Sequence, residues 1–497
     1  MITNVCDFLE KTAIKFSKKV AFIENEKSIT YGEFDTLTDK LASEILRLGL
    51  LGQEPILVLL PKGIHCLVGF LGVAKSGNFY TLLDEKTPKE RILKVAEILK
   101  PKLLITSKKF DFSYIDLPCI FCEDFENFSI YKDMLNACKE RHIDTNLLYV
   151  FFTSGSTGIP KGVSITHKSV IDYTFWVCET FDVSQKEILA NQAPFYFDNS
   201  ILDIFSTIKM GATLHILPTS IFAFPLKAIE YLKRHEISMI FWVPSVLIYF
   251  ANTNALNDAN LTSLKKVLFC GEIMPNKQLN VWRKNLPWAI FANLYGPTEI
   301  TDVCAYYICD RQFKDDEILP IGKACKNTEL LIFDEKFNII TKEQVGTKGE
   351  LCVRGTGLSV GYYADKDKSS KAFLQNPLHD NYEDKIYRTG DIVCYNERGE
   401  ILCFGRADNQ IKIMGHRVEL GEIETTINSH DKVQNSACVF KDDMITCFYE
   451  AISEVDFRAF LKERLPLYMM PKNFIKVDKF KLNQNGKIDR KKLMQML

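Results

Sequence analysis

Residues 153–162 read Thr153-Ser154-Gly155-Ser156-Thr157-Gly158-Ile159-Pro160-Lys161-Gly162 and follow directly on the apolar run Leu147–Phe152. A short continuous apolar run of this kind reads as a strand buried on both faces. In the loop after it, glycines let backbone N–H groups turn inward around an anion, hydroxyls add donors and Lys161 adds charge. A glycine-rich stretch alone is often only a tight turn. Four hydroxyls, three glycines and a lysine within ten residues point instead to a phosphate loop. The pattern is not the Walker type, which needs Gly-Lys followed by Ser or Thr. Here Lys161 stands between Pro160 and Gly162, so the hydroxyl that would hold magnesium is missing and must come from elsewhere.

Outward from the loop the same alternation recurs. Phe34, Leu37, Leu41, Ile45 and Leu48 form a helical stripe stopped by Gly49, and Ile56–Leu60 reads as the next buried strand. Further strands are expected at Met239–Val243, Val267–Cys270 and Ala289–Ala292. This is the pattern of an α/β protein with parallel sheets. From about Gly349 the segments alternate and turn on Asn, Gly and Asp, as β-hairpins do. After Gly405-Arg406-Ala407-Asp408 a small α+β unit is expected. It has helices near Glu422–Asn428 and Phe457–Arg464, a hairpin turning at Asp442-Asp443 and a last strand Phe474–Val477. The chain of 497 residues is long enough for more than one domain. The expected division is residues 1–407 and 408–497.

Composition narrows the function classes. Lys and Arg number 62 against 63 Asp and Glu, so no overall field attracts nucleic acid or an anionic membrane. Any phosphate binding must be local. The N-terminus lacks a basic start followed by an apolar run, and the apolar stretches are strand-sized, so neither a signal peptide nor a membrane span is expected. Fifteen cysteines, an odd number, sit mostly in apolar segments. They read as buried free thiols of a reducing cytoplasm, and the pair Cys119 and Cys122 as structural.

The loop resembles the signature of the adenylate-forming superfamily, which includes acyl-CoA synthetases, luciferases and the adenylation domains of nonribosomal peptide synthetases. Other stretches resemble that family's core motifs in order: Ile29–Glu33, Lys75–Arg91, Asn293-Leu294-Tyr295-Gly296-Pro297-Thr298-Glu299, Gly349-Glu350-Leu351 with Gly361-Tyr362-Tyr363, Tyr387–Asp391, Gly405-Arg406 through Glu424, Leu465–Pro471 and Asn485–Arg490. The resemblance implies an α/β N-terminal core with two parallel or mixed sheets and a small β-barrel-like subdomain. It also implies a small mobile α+β lid turning on a hinge at Asp408.

It further implies ATP and Mg2+ as cofactors and a role for each matching residue. Thr153, Ser154, Gly155, Ser156, Thr157, Gly158, Lys161 and Thr298 would hold phosphate. Tyr295, followed by Gly296, would stack on adenine, Asn293 would read its edge, and Gly271 and Glu272 would line its pocket. Asp391 would grip the ribose hydroxyls, with Arg406 near ribose and phosphate. Glu299 would be the magnesium ligand, a hard oxygen donor suited to that ion. Lys487 would be the catalytic lysine, bridging carboxylate and α-phosphate. Without the resemblance, its surroundings of Lys479, Lys481 and Arg490-Lys491-Lys492 read as a solvated charge run.

Phe197-Asp198-Asn199-Ser200 resembles the segment of amino-acid-activating members in which Asp198 pairs with the substrate ammonium. Read alone, it also fits a helix N-cap, with Ser200 and Asp203 nearby. The positions matching the side-chain pocket are Asn199, Leu202, Phe241, Leu268, Cys270, Leu294, Asp302 and Val303, mostly apolar except for Asp302. Phe269–Pro275 and the length resemble the stand-alone D-alanine-activating branch. No carrier domain is expected beyond Leu497, so the acceptor would be a separate phosphopantetheinylated carrier protein. An acyl-CoA synthetase for a small acid and a non-catalytic adenylate-binding protein are the other readings.

Overall fold

The computed structural model describes residues 2–155, 158–257, 259–406, 410–481 and 488–497. The chain divides into two compact units. The first comprises Met1–Glu85, Lys100–Phe151 and Val163–Ala407; the second comprises Lys86–Leu99, Phe152–Gly162 and Asp408–Leu497.

In the first unit the described residues form three sheets. The largest has nine strands in the order Lys323–Ala324, Ala305–Ile308, Ile290–Tyr295, Lys266–Cys270, Met239–Trp242, Ile188–Asn191, Thr213–Ile216, Val20–Glu24 and Lys27–Thr30. The six strands from Ile290–Tyr295 to Val20–Glu24 run parallel, and antiparallel strands close both edges. A six-stranded sheet is ordered Cys119–Phe121, Leu103–Thr106, Pro55–Leu59, Phe79–Leu83, Leu147–Thr153 and Lys161–Thr166. Five antiparallel strands between Thr328 and Arg406 make the third, a curled half-barrel.

The pleat explains why these strands are almost wholly apolar. Met239, Phe241, Leu268 and Cys270 point into one core, whereas Ile240, Trp242, Val267 and Phe269 point into another. Successive side chains alternate between faces, so a strand covered on both sides needs apolar residues at every position. The helix Tyr31–Arg47 begins in a capping box. The Thr30 hydroxyl accepts from the Glu33 amide, and the Thr30 amide donates to Oε2 of Glu33 at 2.9 Å. That reciprocal pair accounts for the Thr30 and Glu33 of the first matching motif.

The second unit pairs Gln410–Ile413 with His416–Glu419 and packs helix Leu420–Asn428 on the sheet Val433–Lys441, Met444–Ala451 and Asn473–Lys476. Its hairpin turns at Asp442 and Asp443, both with positive φ. Within this unit Arg91 and Glu422 form a buried ion pair at 2.7 Å. The His416 ring stacks on Tyr468 with centroids 3.8 Å apart. All fifteen cysteines are free thiols, thirteen of them buried. No helix among the described residues is long and apolar enough to cross a membrane.

Candidate active site

The strand ends of the nine-stranded sheet gather much of what the sequence singled out. Parallel register sets Phe241 beside Leu268 and Cys270 beside Leu294. Leu202 and Val303 join the same core, and every one of these side chains is buried. Two carboxylates lie in this apolar setting: Asp198 is 5% exposed and Asp302 1%. Asp198 precedes helix Ser200–Met210. Asn199 holds the N-cap position without a side-chain capping bond, and its Nδ2 is buried with no partner. Asp302 accepts a hydrogen bond from the Tyr173 hydroxyl at 2.5 Å.

Beyond strand Ile290–Tyr295 the chain makes a 3-10 turn, Thr298–Ile300. Glu299 is fully buried there and accepts from the Tyr362 hydroxyl at 2.8 Å. A buried carboxylate is costly unless its lone pairs are engaged.

Tyr295 donates from its hydroxyl to Asp391. Burial, then the Asp391 charge, pushes that phenol well above its usual range, so it remains a donor. Asp391 faces Arg406 across paired strands. The guanidinium donates to the Thr389 carbonyl at 2.8 Å and lies 3.8 Å from the Asp391 carboxylate. The Asn293 amide donates to the Pro320 carbonyl at 2.8 Å. Glu272 accepts from the Ser245 amide at 2.9 Å, at the start of helix Pro244–Asn252.

In the second unit Gly155 and Gly158 have steric reasons to be glycine. A Cβ on Gly155 would come 2.1 Å from the Ile159 carbonyl oxygen, and Gly158 has φ +76°. Ser154 donates to the Arg417 carbonyl, and Lys161 lies 3.7 Å from Glu419. The Thr153 hydroxyl is buried without a partner. Ser156, Thr157, Asp408 and Lys487 lie outside the described residues.

Three groups escaped sequence reasoning. Tyr362 belongs to a quoted motif, but nothing local tied it to Glu299. Tyr149 read only as part of an apolar strand, yet its buried hydroxyl has no partner. Lys62 donates to the carbonyl of Gln192 at 3.0 Å and lies 3.5 Å from those of Asn191 and Ala193, bracing the chain ahead of Asp198. Asn191 in turn donates to Asp203 at 2.9 Å.

Enclosure of its ammonium lowers Lys62 to about 7, against the pull of Asp203, and burial raises Asp203 to about 8. Between pH 7 and 10.5 the unfolded chain binds a proton at Lys62 that the folded chain does not. That contribution to stability is full above the window and is lost as pH falls through it. Between pH 3.8 and 8 the folded chain holds a proton at Asp203 that the unfolded chain has released. That contribution is full below the window and is lost as pH rises through it. Their sum is therefore smallest between about pH 7 and 8. Chemical denaturation of the wild type and of Lys62→Met/Asp203→Asn from about pH 4 to about pH 10 should show the wild type's relative stability at a minimum there. A flat difference would show that the pair does not titrate as described.

The AMP-binding enzyme family matches residues 9–363 of this chain. This chain is an AMP-binding enzyme. The AMP-binding enzyme is 32% identical over 510 residues to a D-alanine–D-alanyl carrier protein ligase of Bacillus cereus (strain G9842), with 99% of each chain covered. It is 30% identical to zwittermicin A synthase ZmaJ of Bacillus cereus, covering 99% of this chain and 95% of that one. It matches tyrocidine synthase 1 of Brevibacillus parabrevis at 29% identity, over 99% of its own length and 45% of that protein's. Among solved structures, an NRPS protein containing adenylation and PCP domains superposes with TM-score 0.86 at 21% identity, covering 100% of this chain and 84% of that one. A double mutant of o-succinylbenzoate CoA synthetase from Bacillus subtilis superposes with TM-score 0.85 at 18% identity, covering 99% and 98%. The likeness to these two structures is one of fold. The AMP-binding enzyme is an adenylate-forming, AMP-releasing ligase that uses ATP.

Proposed function

We propose that this enzyme activates a small amino acid as its aminoacyl-adenylate and then passes the acyl group to the phosphopantetheine thiol of a separate carrier protein. The observation that carries the reading is Asp198, a carboxylate 5% exposed beside the apolar pocket wall. A carboxylate in a buried, low-dielectric setting attracts a cation more strongly than an exposed one does, and a substrate ammonium is such a cation. Ligases of amine-free acids have no need of it. Relatives named D-alanine–D-alanyl carrier protein ligase make D-alanine the first substrate to try.

In the first half-reaction a substrate carboxylate oxygen attacks the α-phosphorus of ATP, and the bond to pyrophosphate breaks. Asp391 and Arg406 would hold the ribose side, with Tyr295 against adenine. Lys487 would meet the charge that gathers between carboxylate and α-phosphate. Glu299, a hard oxygen donor, would be the residue of this chain that holds Mg2+, which would supply positive charge to the phosphates. In the second half-reaction the carrier thiol attacks the acyl carbonyl and AMP leaves. The fifteen free thiols support a cytoplasmic location.

The test is ATP–pyrophosphate exchange across D- and L-amino acids together with acetate, propionate and benzoate. Exchange dependent on amino acids is expected. Exchange only with amine-free acids would overturn the reading and make coenzyme A the acceptor to examine.

A further inference from the structure

Lys62 reaches across from one sheet to the other. It follows strand Pro55–Leu59 of the six-stranded sheet, and the carbonyls it meets lie at the end of strand Ile188–Asn191 of the nine-stranded one. Its base is fixed. The Ile64 amide, two residues on, donates to Oε2 of Glu24 at 2.8 Å. Gly63 packs so closely on that carboxylate that a Cβ would come 2.6 Å from its oxygens.

The far end meets an unusual arrangement. In a strand successive carbonyls point to opposite sides, so three in a row can meet one atom only where the chain curls. The carbonyls of Asn191, Gln192 and Ala193 do so, at 3.5, 3.0 and 3.5 Å from the Lys62 ammonium. Carbonyl dipoles aimed at one point repel one another unless a cation sits there. An ammonium supplies that charge together with three donors. Enclosing an ammonium is costly, so a lysine kept here is held for its donors and charge more than for its packing.

What the curl leads into is a chain of local hydrogen bonds that ends on a helix. The Phe197 amide donates to the Pro194 carbonyl at 3.1 Å, and the Ile201 amide to the Asp198 carbonyl at 2.9 Å. The Ser200 hydroxyl reaches the carbonyls of Phe195 and Phe197 at 3.3 and 2.8 Å. Helix Ser200–Met210 then brings Asp203 back to the entry, where it accepts from the Asn191 side chain at 2.9 Å. The segment is thus tied at its entry by Lys62 and from its exit by Asp203. Asp198 lies between the two ties, so a shift at the entry is passed on to its carboxylate.

We infer that Lys62 is a positioning residue for amino-acid binding, fixing the segment 191–198 so that the Asp198 carboxylate stands where the substrate ammonium arrives. The inference rests on the reading of Asp198 given above. Because that ammonium is charged in ground and transition states alike, the effect belongs in the KM for the amino acid and not in kcat.

The experiment is ATP–pyrophosphate exchange by the wild type and Lys62→Met, with the amino acid that supports the fastest exchange and with the same acid lacking its amine (propionate in the case of alanine). Lys62→Met should raise the KM for the amino acid on the order of ten-fold. Its kcat, its KM for ATP and its kcat/KM for the amine-free acid should stay within about two-fold of the wild type. In an Asp198→Ala background, adding Lys62→Met should cost the amino acid no more than about two-fold, because the residue through which Lys62 acts is gone. An unchanged KM, a rise shared by the amino acid, the amine-free acid and ATP, or a loss undiminished in Asp198→Ala would each overturn the inference while leaving amino-acid activation standing. If Asp198→Ala alone harms the amino acid and the amine-free acid alike, the reading of Asp198 falls and this inference with it. Should Lys62→Met fail to fold, Lys62→Gln, which keeps two N–H donors without the charge, carries the same comparison.

Discussion

Lys487→Ala is expected to lower amino-acid-dependent ATP–pyrophosphate exchange by about 10³-fold or more while sparing thioester formation from supplied aminoacyl-adenylate. Adenylation forces a carboxylate against a triphosphate, so charge builds where two anions meet. A lysine at that point acts on the transition state more than on either bound reactant, which is the condition for raising kcat. Thiol attack on the adenylate needs no such bridge, since the acyl carbon is already activated and AMP is the leaving group. The two half-reactions should therefore separate. They can be followed by pyrophosphate exchange and by loading of a phosphopantetheinylated carrier. Equal loss of both would sink the assignment of Lys487 to the first step alone.

Asp198→Ala should cost the amino-acid substrate on the order of 10³-fold in kcat/KM, about 4 kcal/mol, by leaving its ammonium buried without a counter-charge. The loss should appear mainly in the KM for the amino acid, because the ammonium is charged in ground and transition states alike. Binding of ATP, measured by displacement of a fluorescent nucleotide, should persist, because Asp391, Tyr295 and Arg406 form a separate cluster of paired side chains. An amine-free acid of the same size should lose far less than the amino acid does. If alanine and propionate suffer alike, Asp198 supports the fold of the loop and does not bind the ammonium.

These two residues became candidates in the linear sequence because they sit in compact motifs. The same holds for Glu299, Asp391 and the loop 153–162 as candidates, each of which stands in a short matching stretch. The large units were legible for a similar reason. Helix Tyr31–Arg47 and strands Pro55–Leu59 and Lys266–Cys270 carry their periods in their own residues. Element ends were less so. The strand expected at Ala289–Ala292 runs Ile290–Tyr295, because pairing with Lys266–Cys270 extends it past the apolar run.

What stayed hidden were polar groups embedded in apolar patterns. Tyr149 lies within LLYVFFT and counts toward a buried strand, and only its packed position leaves the hydroxyl unpaired. Lys62 and Asp203 lie in different elements far apart in sequence, so no spacing rule joins them. Tyr362 reaches Glu299 across 63 residues. The sequence by itself determined the alternation of strands and helices and the family, because local periodicity and short motifs depend on residues that are already neighbours. Only the tertiary structure decided that Asp302 is turned inward onto Tyr173, that Glu299 answers to Tyr362 and that Lys62 braces the approach to Asp198. Those pairings depend on strand register and on what each buried polar atom finds when water is removed, and neither is written in the spacing of residues along the chain.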